Sequence, residues 1–194
     1  GEKTVTFSGD RYEVSGTEMP DFIPYIESVL GIDFDEEDQI SPVDKKPFQA
    51  SNLSPEFFDQ LKSSFEEDRY TVDGMERLIH SHGQETFKDV YKVLYNSIER
   101  TVDLVFYPES EDEVRSLVDL AVKFNICLIP YGGGTNVTRA LSIPENENRS
   151  VVSVDMRRMS KIEWINKEDR RVCVQSGITG GDLIELLKEE GFTI

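Results

Sequence analysis

The stretch from Ile126 to Val137, with the sequence ICLIPYGGGTNV, decides how the chain is organised. Its apolar beginning predicts a buried strand over residues 126–129. We expect Pro130 to end this strand, because proline has no backbone N–H to donate to a ladder. Consecutive glycines suit positive φ angles or the close approach of another molecule, and the N–H groups of such a turn form a concavity that binds anions. The stretch therefore predicts a strand followed by a phosphate-binding loop, with a plain strand–turn–strand connection as the alternative.

The composition limits the classes of partner. The chain has 194 residues with 38 acidic and 21 basic side chains, a net charge of −17, which should repel nucleic acid and anionic lipid headgroups. No apolar run reaches the roughly 18 residues of a membrane span. Cys127 and Cys173 are too few for a disulfide framework, so we expect a reducing compartment. Residues 33–38 are acidic but lack the glycine and terminal glutamate of a calcium loop, and we expect no metal site.

The first half of the chain has the periodicity of helices. The predicted helices begin at Asp21, Ser54, Asp73 and Glu85. Gly31 is placed to end the first of them in a left-handed conformation. Ser54 is an N-cap followed by Pro55 in the first turn, and the third helix is predicted to end near Gly83. We therefore predict a mostly helical N-terminal region, residues 1–100.

Strand and helix patterns alternate from Val102 onward. Ser110 and Glu113 form a Ser-x-x-Glu capping box before an amphipathic helix, and Thr179 is placed to cap the last helix. The predicted strands cover 102–107, 126–129 and 151–154, the last two in one sheet, and a predicted hairpin pairs 161–165 with 171–175. We therefore predict an α+β fold class, in which the helical region is followed by a second domain over residues 101–194.

Several motifs resemble one family of flavoproteins in the same order along the chain. They are Arg11-Tyr12 with Ser15-Gly16, Leu30-Gly31, His82-Gly83, the strand and glycine loop of 126–136, and the run from Gln175 to Gly180. The glycine loop is typical of the vanillyl-alcohol-oxidase/p-cresol-methylhydroxylase (PCMH) flavoproteins, and the other motifs resemble their alkyldihydroxyacetonephosphate synthase (alkylglycerone-phosphate synthase) branch. The resemblance implies that residues 101–194 are the first part of a PCMH-type FAD-binding domain, and that the chain is an N-terminal fragment of a longer protein.

The resemblance also implies a cofactor and a set of contacts. The cofactor is FAD, and the residues that match the pyrophosphate loop of the family are Pro130, Tyr131, Gly132, Gly133, Gly134, Thr135 and Asn136. Asn136 stands where the family has serine, and it keeps the ability to hydrogen-bond. The second FAD segment and the catalytic groups of the family lie beyond Ile194, so the resemblance implies no catalytic residue within this chain.

The activity that the resemblance implies belongs to ether-lipid (plasmalogen) biosynthesis in the peroxisome. It exchanges the acyl group of acyl-dihydroxyacetone phosphate for a long-chain fatty alcohol. A homodimer, and a peripheral membrane contact through segments outside this chain, are further expectations, and the fragment alone is expected to be inactive. Two alternatives stay open. One is a redox FAD-dependent 2-hydroxy-acid dehydrogenase or oxidase of the same fold, and the other is a flavin-free interaction module.

Two further features, a pair of histidines and the single tryptophan, do not indicate a functional site. His80 and His82 are two residues apart, so on a helix they point about 200° apart and cannot share a metal; we expect surface or helix-end histidines. Trp164 lies on the predicted hairpin, and we expect a core or interface residue. No Ser/His/Asp or Cys/His set that could serve as a nucleophile is evident in the sequence.

Overall fold

The structure is a computed structural model, and it describes residues 4–6, 14–35, 46–83 and 86–194. The chain divides into two compact units, residues 1–44 and 45–194. In the first unit, strand β1 (Val5–Thr6) pairs antiparallel with β2 (Glu18–Met19). Helix α1 (Phe22–Leu30) ends at Gly31, whose φ of 67° is left-handed, as predicted. The Arg11-Tyr12 motif and residues 36–38 of the acidic segment lie outside the described residues.

The second unit combines helices with a central sheet. Its elements in chain order are α2 (Pro55–Ser64), β3 (Tyr70–Thr71), α3 (Gly74–Ile79), α4 (Phe87–Leu94), β4 (Leu104–Phe106), α5 (Glu111–Phe124), β5 (Cys127–Tyr131), β6 (Val151–Asp155), β7 (Ile162–Asn166), β8 (Arg171–Val174) and α6 (Gly180–Glu189). The helices and strands occur together in this unit, and the predicted α+β fold class is confirmed. The predicted boundary between residues 100 and 101 stays a prediction.

The central sheet has the strand order β3-β4-β6-β5. Strand β3 is antiparallel to β4, whereas β4, β6 and β5 are parallel to one another. Cys127 is aligned with Val151, and Ile129 with Ser153, so residues 126–129 and 151–154 share one sheet, as predicted. Strands β7 and β8 form the predicted antiparallel hairpin, with an irregularity between Ile162 and Trp164.

Strand β5 is longer than predicted, because it continues through Pro130 to Tyr131. The prediction that Pro130 ends the strand is therefore wrong. Among the described strands, β5 has a partner on one side only, and proline is tolerated on an edge strand, where one side of the backbone has no ladder to complete. The extension aligns Tyr131 with Asp155, the last residue of β6.

The two faces of the central sheet are packed differently, with side chains alternating between them. Helices α2 and α5 cover one face, and the fully or nearly fully buried residues there are Phe57, Leu61, Leu104, Phe106, Leu117, Ala121, Ile126, Val152 and Val154. The opposite face buries Val102, Val105, Ile129, Tyr131, Leu141 and Val151. We call the first the apolar face and the second the loop face, because Tyr131 leads directly into the glycine loop.

The helix starts follow the sequence closely. The hydroxyl of Ser54 accepts a hydrogen bond from the Phe57 N–H at 3.3 Å, and that of Ser110 accepts one from the Glu113 N–H at 3.2 Å, so both predicted N-caps are confirmed. Thr179 caps α6 in the same way. The helix ends were less well predicted, since α3 ends at Ile79, earlier than Gly83.

Some exposed side chains differ from the predicted packing. Val118 and Val122 belong to the apolar repeat of α5, yet they are 43% and 79% exposed, so the buried stripe of this helix is narrower than its apolar stripe. Trp164 is 52% exposed, so it is not a core residue, because among the described strands β7 pairs only with β8. The alternative of an interface residue stays a prediction. In the part of the chain that the structure describes, no helix is both long and apolar enough to cross a bilayer.

Candidate functional site

The glycine loop, residues 132–136, follows β5 at the carboxyl end of the parallel strands. β6 ends beside it at Asp155. In sheets of parallel strands, ligands bind in the crevice outside the carboxyl ends of the strands. The topology therefore places the loop at an edge where ligands commonly bind.

The three glycines of the loop are not equivalent. Gly132 is exposed, and a Cβ added there would meet no atom of the protein within 4 Å. Gly134 has a left-handed φ of 69°, and the hydroxyl of Tyr131 occupies the space that a Cβ would need. Gly134 is thus required by the protein itself, whereas the open space beside Gly132 has no structural purpose within the described residues.

The second half of the loop is held by its own backbone and by Asn136. Asn136 has a left-handed φ of 52°, a conformation that asparagine tolerates better than most residues. Its side-chain oxygen accepts a hydrogen bond from the Leu141 N–H at 2.8 Å, and its carbonyl accepts one from the Arg139 N–H at 2.9 Å. Asparagine therefore has a structural reason to replace the serine expected there. Its contact with FAD stays a prediction.

A segment of the helical region packs directly behind the loop. A Cβ added at Gly83 would overlap the Cβ of Asn136 and lie 3.0 Å from the carbonyl oxygen of Thr135. Only glycine allows the two backbones to approach so closely. His82-Gly83 is one of the motifs of the family resemblance, but no periodicity in the sequence indicates that it touches the glycine loop.

His80 lies beneath the loop and is fully buried, so the expectation of a surface histidine is wrong, although it does lie at the end of α3. Its Nδ1 is 2.7 Å from the carbonyl oxygen of Glu76, and its Nε2 is 2.8 Å from Oδ2 of Asp155. Its ring packs on that of Tyr131, with 4.3 Å between centroids. No local pattern in the sequence indicated this burial, because the partners Asp155 and Tyr131 are distant from His80 along the chain.

Asp155 joins His80 to Arg157. Nε of Arg157 donates to Oδ2 of Asp155 at 2.7 Å, and its backbone N–H donates to Oδ1 at 2.9 Å. Burial alone would raise the pKa of the Asp155 carboxyl, but the hydrogen bonds from His80 and Arg157 outweigh burial and hold that pKa below its ordinary value. We call Glu76, His80, Asp155 and Arg157 the His80 cluster.

Two neighbours of the His80 cluster stay uncharged near neutral pH. The hydroxyl of Tyr107 donates to Oε2 of Glu76 at 2.8 Å. Burial first, and then this hydrogen bond, raise the pKa of Tyr107 well above its ordinary value. Burial lowers the pKa of His82, the other histidine. The 3.1 Å contact between its Nδ1 and the carbonyl oxygen of Gly83 acts in the opposite direction but has the smaller effect.

A polar cleft of about 860 Å³ lies next to the end of the loop, between the α3–α4 region and residues 136–148. Cationic and anionic side chains both line it, including Lys88, Lys92, Arg100, Asp89, Glu99 and Glu147. Hydrogen bonds from Arg149 lower the pKa of Glu147 to about 2. The glycine loop contributes only Asn136 to this lining, so the cleft and the open side of Gly132 are separate features.

Other kinds of site find no support in the described residues. Cys127 and Cys173 are both free thiols. Within the described ranges, no group of three or more His, Cys, Asp or Glu side chains is arranged to hold a metal ion. Burial raises the pKa of the Cys127 thiol, which disfavours the reactive thiolate. The glycine loop is therefore the feature with the clearest ligand-binding geometry.

The loop residues fit the diphosphate of a dinucleotide. Gly132, Gly133 and Thr135 are exposed at the carboxyl end of β5, and the space beside Gly132 is open. Backbone without side chains lets a diphosphate approach the N–H groups closely, and the Thr135 hydroxyl is a further donor. Pro130 and Tyr131 belong to the strand that carries the loop, and buried Tyr131 supports it from below.

Comparison with known proteins shows which families and proteins the chain is similar to. A family model described as an FAD binding domain matches residues 102–194. The chain is 38% identical over 196 residues to an alkyldihydroxyacetonephosphate synthase of Caenorhabditis elegans, covering 97% of this chain and 31% of that protein. A solved structure of an alkyldihydroxyacetonephosphate synthase matches with a TM-score of 0.78 and 33% identity, over 92% of this chain and 34% of that one. A mitochondrial D-lactate dehydrogenase (cytochrome) of Arabidopsis thaliana is 30% identical over 74% of this chain and 23% of that protein.

The family model and the similar proteins match different lengths of the chain. The chain spans about a third of the length of the two alkyldihydroxyacetonephosphate synthases of Caenorhabditis elegans and Dictyostelium discoideum that it matches. Residues 102–194 correspond to an FAD-binding domain, whereas the likeness to the synthases also takes in the helical region before it. Because sequence and fold agree over nearly all of its residues, the chain belongs to the alkyldihydroxyacetonephosphate synthase family, whose cofactor is FAD.

Proposed function

We propose that residues 130–136 hold the diphosphate of FAD. The observation that carries the proposal is the open, exposed backbone at Gly132, which lies at the carboxyl end of β5 where a side chain would meet nothing of the protein. Gly134 and Asn136 fix the shape of the loop through their left-handed backbones. The loop then acts by holding one end of the cofactor, and it takes no part in proton transfer.

We infer that the complete protein is an alkylglycerone-phosphate synthase of ether-lipid biosynthesis. It would exchange the acyl group of acyl-dihydroxyacetone phosphate for a long-chain fatty alcohol, and the membership in the synthase family supports this reaction. FAD, when bound, supplies the flavin ring at which the carboxylate and the alcohol are exchanged. Residues 101–194 would form the first part of the FAD-binding domain. They would hold the cofactor in position and would not supply acid–base groups. By the same family membership we expect the complete protein in the peroxisome, as a homodimer with a peripheral membrane contact.

The redox alternative has one observation in its favour, which is the 30% identity with a D-lactate dehydrogenase. The two functions need the same loop, so the loop does not distinguish them. Two assays on the complete protein do so. Incorporation of labelled fatty alcohol into alkyl-dihydroxyacetone phosphate supports the synthase, whereas reduction of an electron acceptor by 2-hydroxy acids would replace it. A complete protein that purifies without flavin absorbance would instead favour the interaction module.

The loop is tested by Gly132→Val in the complete protein. Because the new side chain meets open space, we expect the protein to fold normally, yet to bind FAD at least about tenfold more weakly because the side chain fills the room for the diphosphate. FAD affinity is measured by the quenching of flavin fluorescence on titration into the apoprotein.

Gly181→Val is the matched control. A Cβ at Gly181, in the first turn of α6, would touch only the Thr179 hydroxyl, at 3.8 Å, so it tests the addition of the same side chain at another open glycine. We expect unchanged FAD affinity in this variant. Equal affinity in Gly132→Val and the wild type would contradict the assignment of the loop.

A further inference from the structure

The ring of His80 is fixed at both nitrogens. Nδ1 lies 2.7 Å from the Glu76 carbonyl oxygen, and Nε2 lies 2.8 Å from the Asp155 carboxylate. The side chain is fully buried, so solvent water does not compete for these contacts. A ring that is held at both ends cannot rotate without breaking a hydrogen bond, and its orientation is therefore set by α3 and β6 together.

This fixed ring supports Tyr131, which in turn supports the glycine loop. The two rings pack with 4.3 Å between centroids and 45° between planes. The hydroxyl of Tyr131 lies under Gly134, where it occupies the space of a would-be Cβ. Movement of the His80 ring would therefore let Tyr131 move, and Gly134 would lose the surface on which it rests.

The contacts of His80 also determine its protonation. A backbone carbonyl and an ionised carboxylate are both hydrogen-bond acceptors only. Each ring nitrogen must then donate, so His80 is the imidazolium when Asp155 is ionised. The low pKa of Asp155 agrees with an ionised carboxylate.

The proton on His80 balances the charge beneath the loop. Glu76 and Asp155 contribute two negative charges, and His80 and Arg157 contribute two positive ones. Two titratable neighbours, Tyr107 and His82, are neutral near pH 7 because burial shifts their pKa values away from the charged form. Arg158, which lies over the ring of Tyr107, is itself paired with Asp68 and Glu109. Without its proton, His80 would leave one uncompensated negative charge behind a loop that binds a diphosphate, where like charges repel in a medium of low dielectric.

We propose that His80 is a positioning residue for the FAD diphosphate, which holds the glycine loop in place through Tyr131 and keeps the buried charge beneath it balanced. The proposal rests on the proposed function of the loop. His80 is fully buried and packs against Tyr131, so the proposed role does not require it to touch the cofactor. It acts through Tyr131 and through the field of the His80 cluster.

The test measures the dissociation constant of FAD for the complete apoprotein between about pH 6 and pH 9. The phosphates of FAD stay ionised throughout this range, so the ligand contributes no change of its own. For the wild type, we expect affinity to be higher at acidic than at alkaline pH, because both contacts of the ring require an imidazolium, whose charge offsets that of Asp155. For His80→Gln, which keeps a donor for Asp155 but lacks the ring and the charge, we expect about tenfold weaker binding at the acidic end and a flat pH profile.

Phe57→Leu is the control for a purely structural effect. Phe57 is fully buried on the apolar face, so this variant loses stability without contact to Tyr131. We expect its FAD affinity and pH profile to match those of the wild type. Failure of the wild type to bind FAD would overturn the proposed function, whereas a wild type that binds FAD with no pH dependence would overturn the role of His80 alone. Equal affinity in His80→Gln and the wild type would also overturn it, and the wild-type profile remains decisive if that variant does not fold.

Discussion

The two faces of the central sheet differ in what they bury. The apolar face packs Phe57 and Leu61 of α2 against Leu104 and Phe106 of β4. The loop face and the ends of its strands bury charge as well, with His80 and Asp155 both fully enclosed. Burying apolar surface is the main source of stability, whereas a buried ion pair contributes little net stability and is better suited to fixing one arrangement. The contrast suggests that one face keeps the protein folded and the other sets the shape of the binding loop.

The same contrast appears along the length of the strands. Asp103, just before β4, accepts hydrogen bonds from the backbone of Asn52 and Val151, and it pairs with Arg100 at 2.7 Å. Nε of Arg77 donates to the Val102 carbonyl at 2.7 Å. These buried charges satisfy backbone groups where strands begin. The His80 cluster lies where the strands end, and it is the one placed beneath the glycine loop.

The largest expected effect comes from the apolar face. Phe57→Ala should lower the free energy of unfolding by about 3–5 kcal/mol, because it removes a fully buried ring and leaves a cavity. Hydrogen exchange of the buried amides of β4 and β6 in the complete protein measures this loss. FAD affinity of the folded fraction should stay unchanged, and a large loss of affinity would erase the proposed difference between the faces.

A smaller effect, dependent on pH, is expected on the loop face. Asp155→Asn should lower the free energy of unfolding by about 1.5–3 kcal/mol near pH 7, the range for a hydrogen bond to a charged group. Since the folded pKa of Asp155 is depressed, its contribution is present above the ordinary aspartate pKa of about 3.9 and is lost as pH falls through the lower folded value. The difference between the wild type and the variant should therefore shrink in acid.

This comparison uses the same hydrogen-exchange measurement at neutral and acidic pH. Phe57→Ala serves as the reference, because no ionisable group changes there and its deficit should not depend on the charge of Asp155. A deficit of Asp155→Asn that stays constant into acid would show that the carboxylate is not ionised in the native state.

The smallest effect on stability is expected within the loop itself. Gly134→Ala should cost about 1–2 kcal/mol, because an L-residue is strained at the left-handed φ of 69°, and the new Cβ must displace the Tyr131 hydroxyl. FAD affinity should fall in this variant as well. A stable Gly134→Ala variant with wild-type affinity would show that Tyr131 does not set the loop.

Local signals in the sequence were enough to predict most elements of the second unit. Ser54, Ser110 and Thr179 each cap the helix that follows them, because a cap depends only on residues a few positions away. The same holds for the hairpin of β7 and β8, whose alternation is local. The two-residue strand β3 was missed, since a pair as short as Tyr70–Thr71 has no period to detect.

The parts that were not predicted depend on distant partners. Pro130 continues β5 only because the strand lies at an edge of the described sheet, which residues 126–137 alone do not encode. His80 is buried because Asp155 and Tyr131 enclose it, and neither is near it in sequence. The glycine loop was found from its composition, but its contact with Gly83 could come only from the three-dimensional arrangement.

The pairing of His80 with Asp155 has a consequence for how the chain is made. The two residues are 75 positions apart, and ribosomes add roughly 5–20 residues per second. Helix α3 therefore emerges about 4–15 s before its partner strand β6 exists. During that interval the imidazole has only water and its own helix as partners, and Tyr131 is made before the carboxylate that will fix the ring beneath it. The binding loop should thus acquire its final shape late in synthesis, after the apolar helices α2 and α5 have already been made.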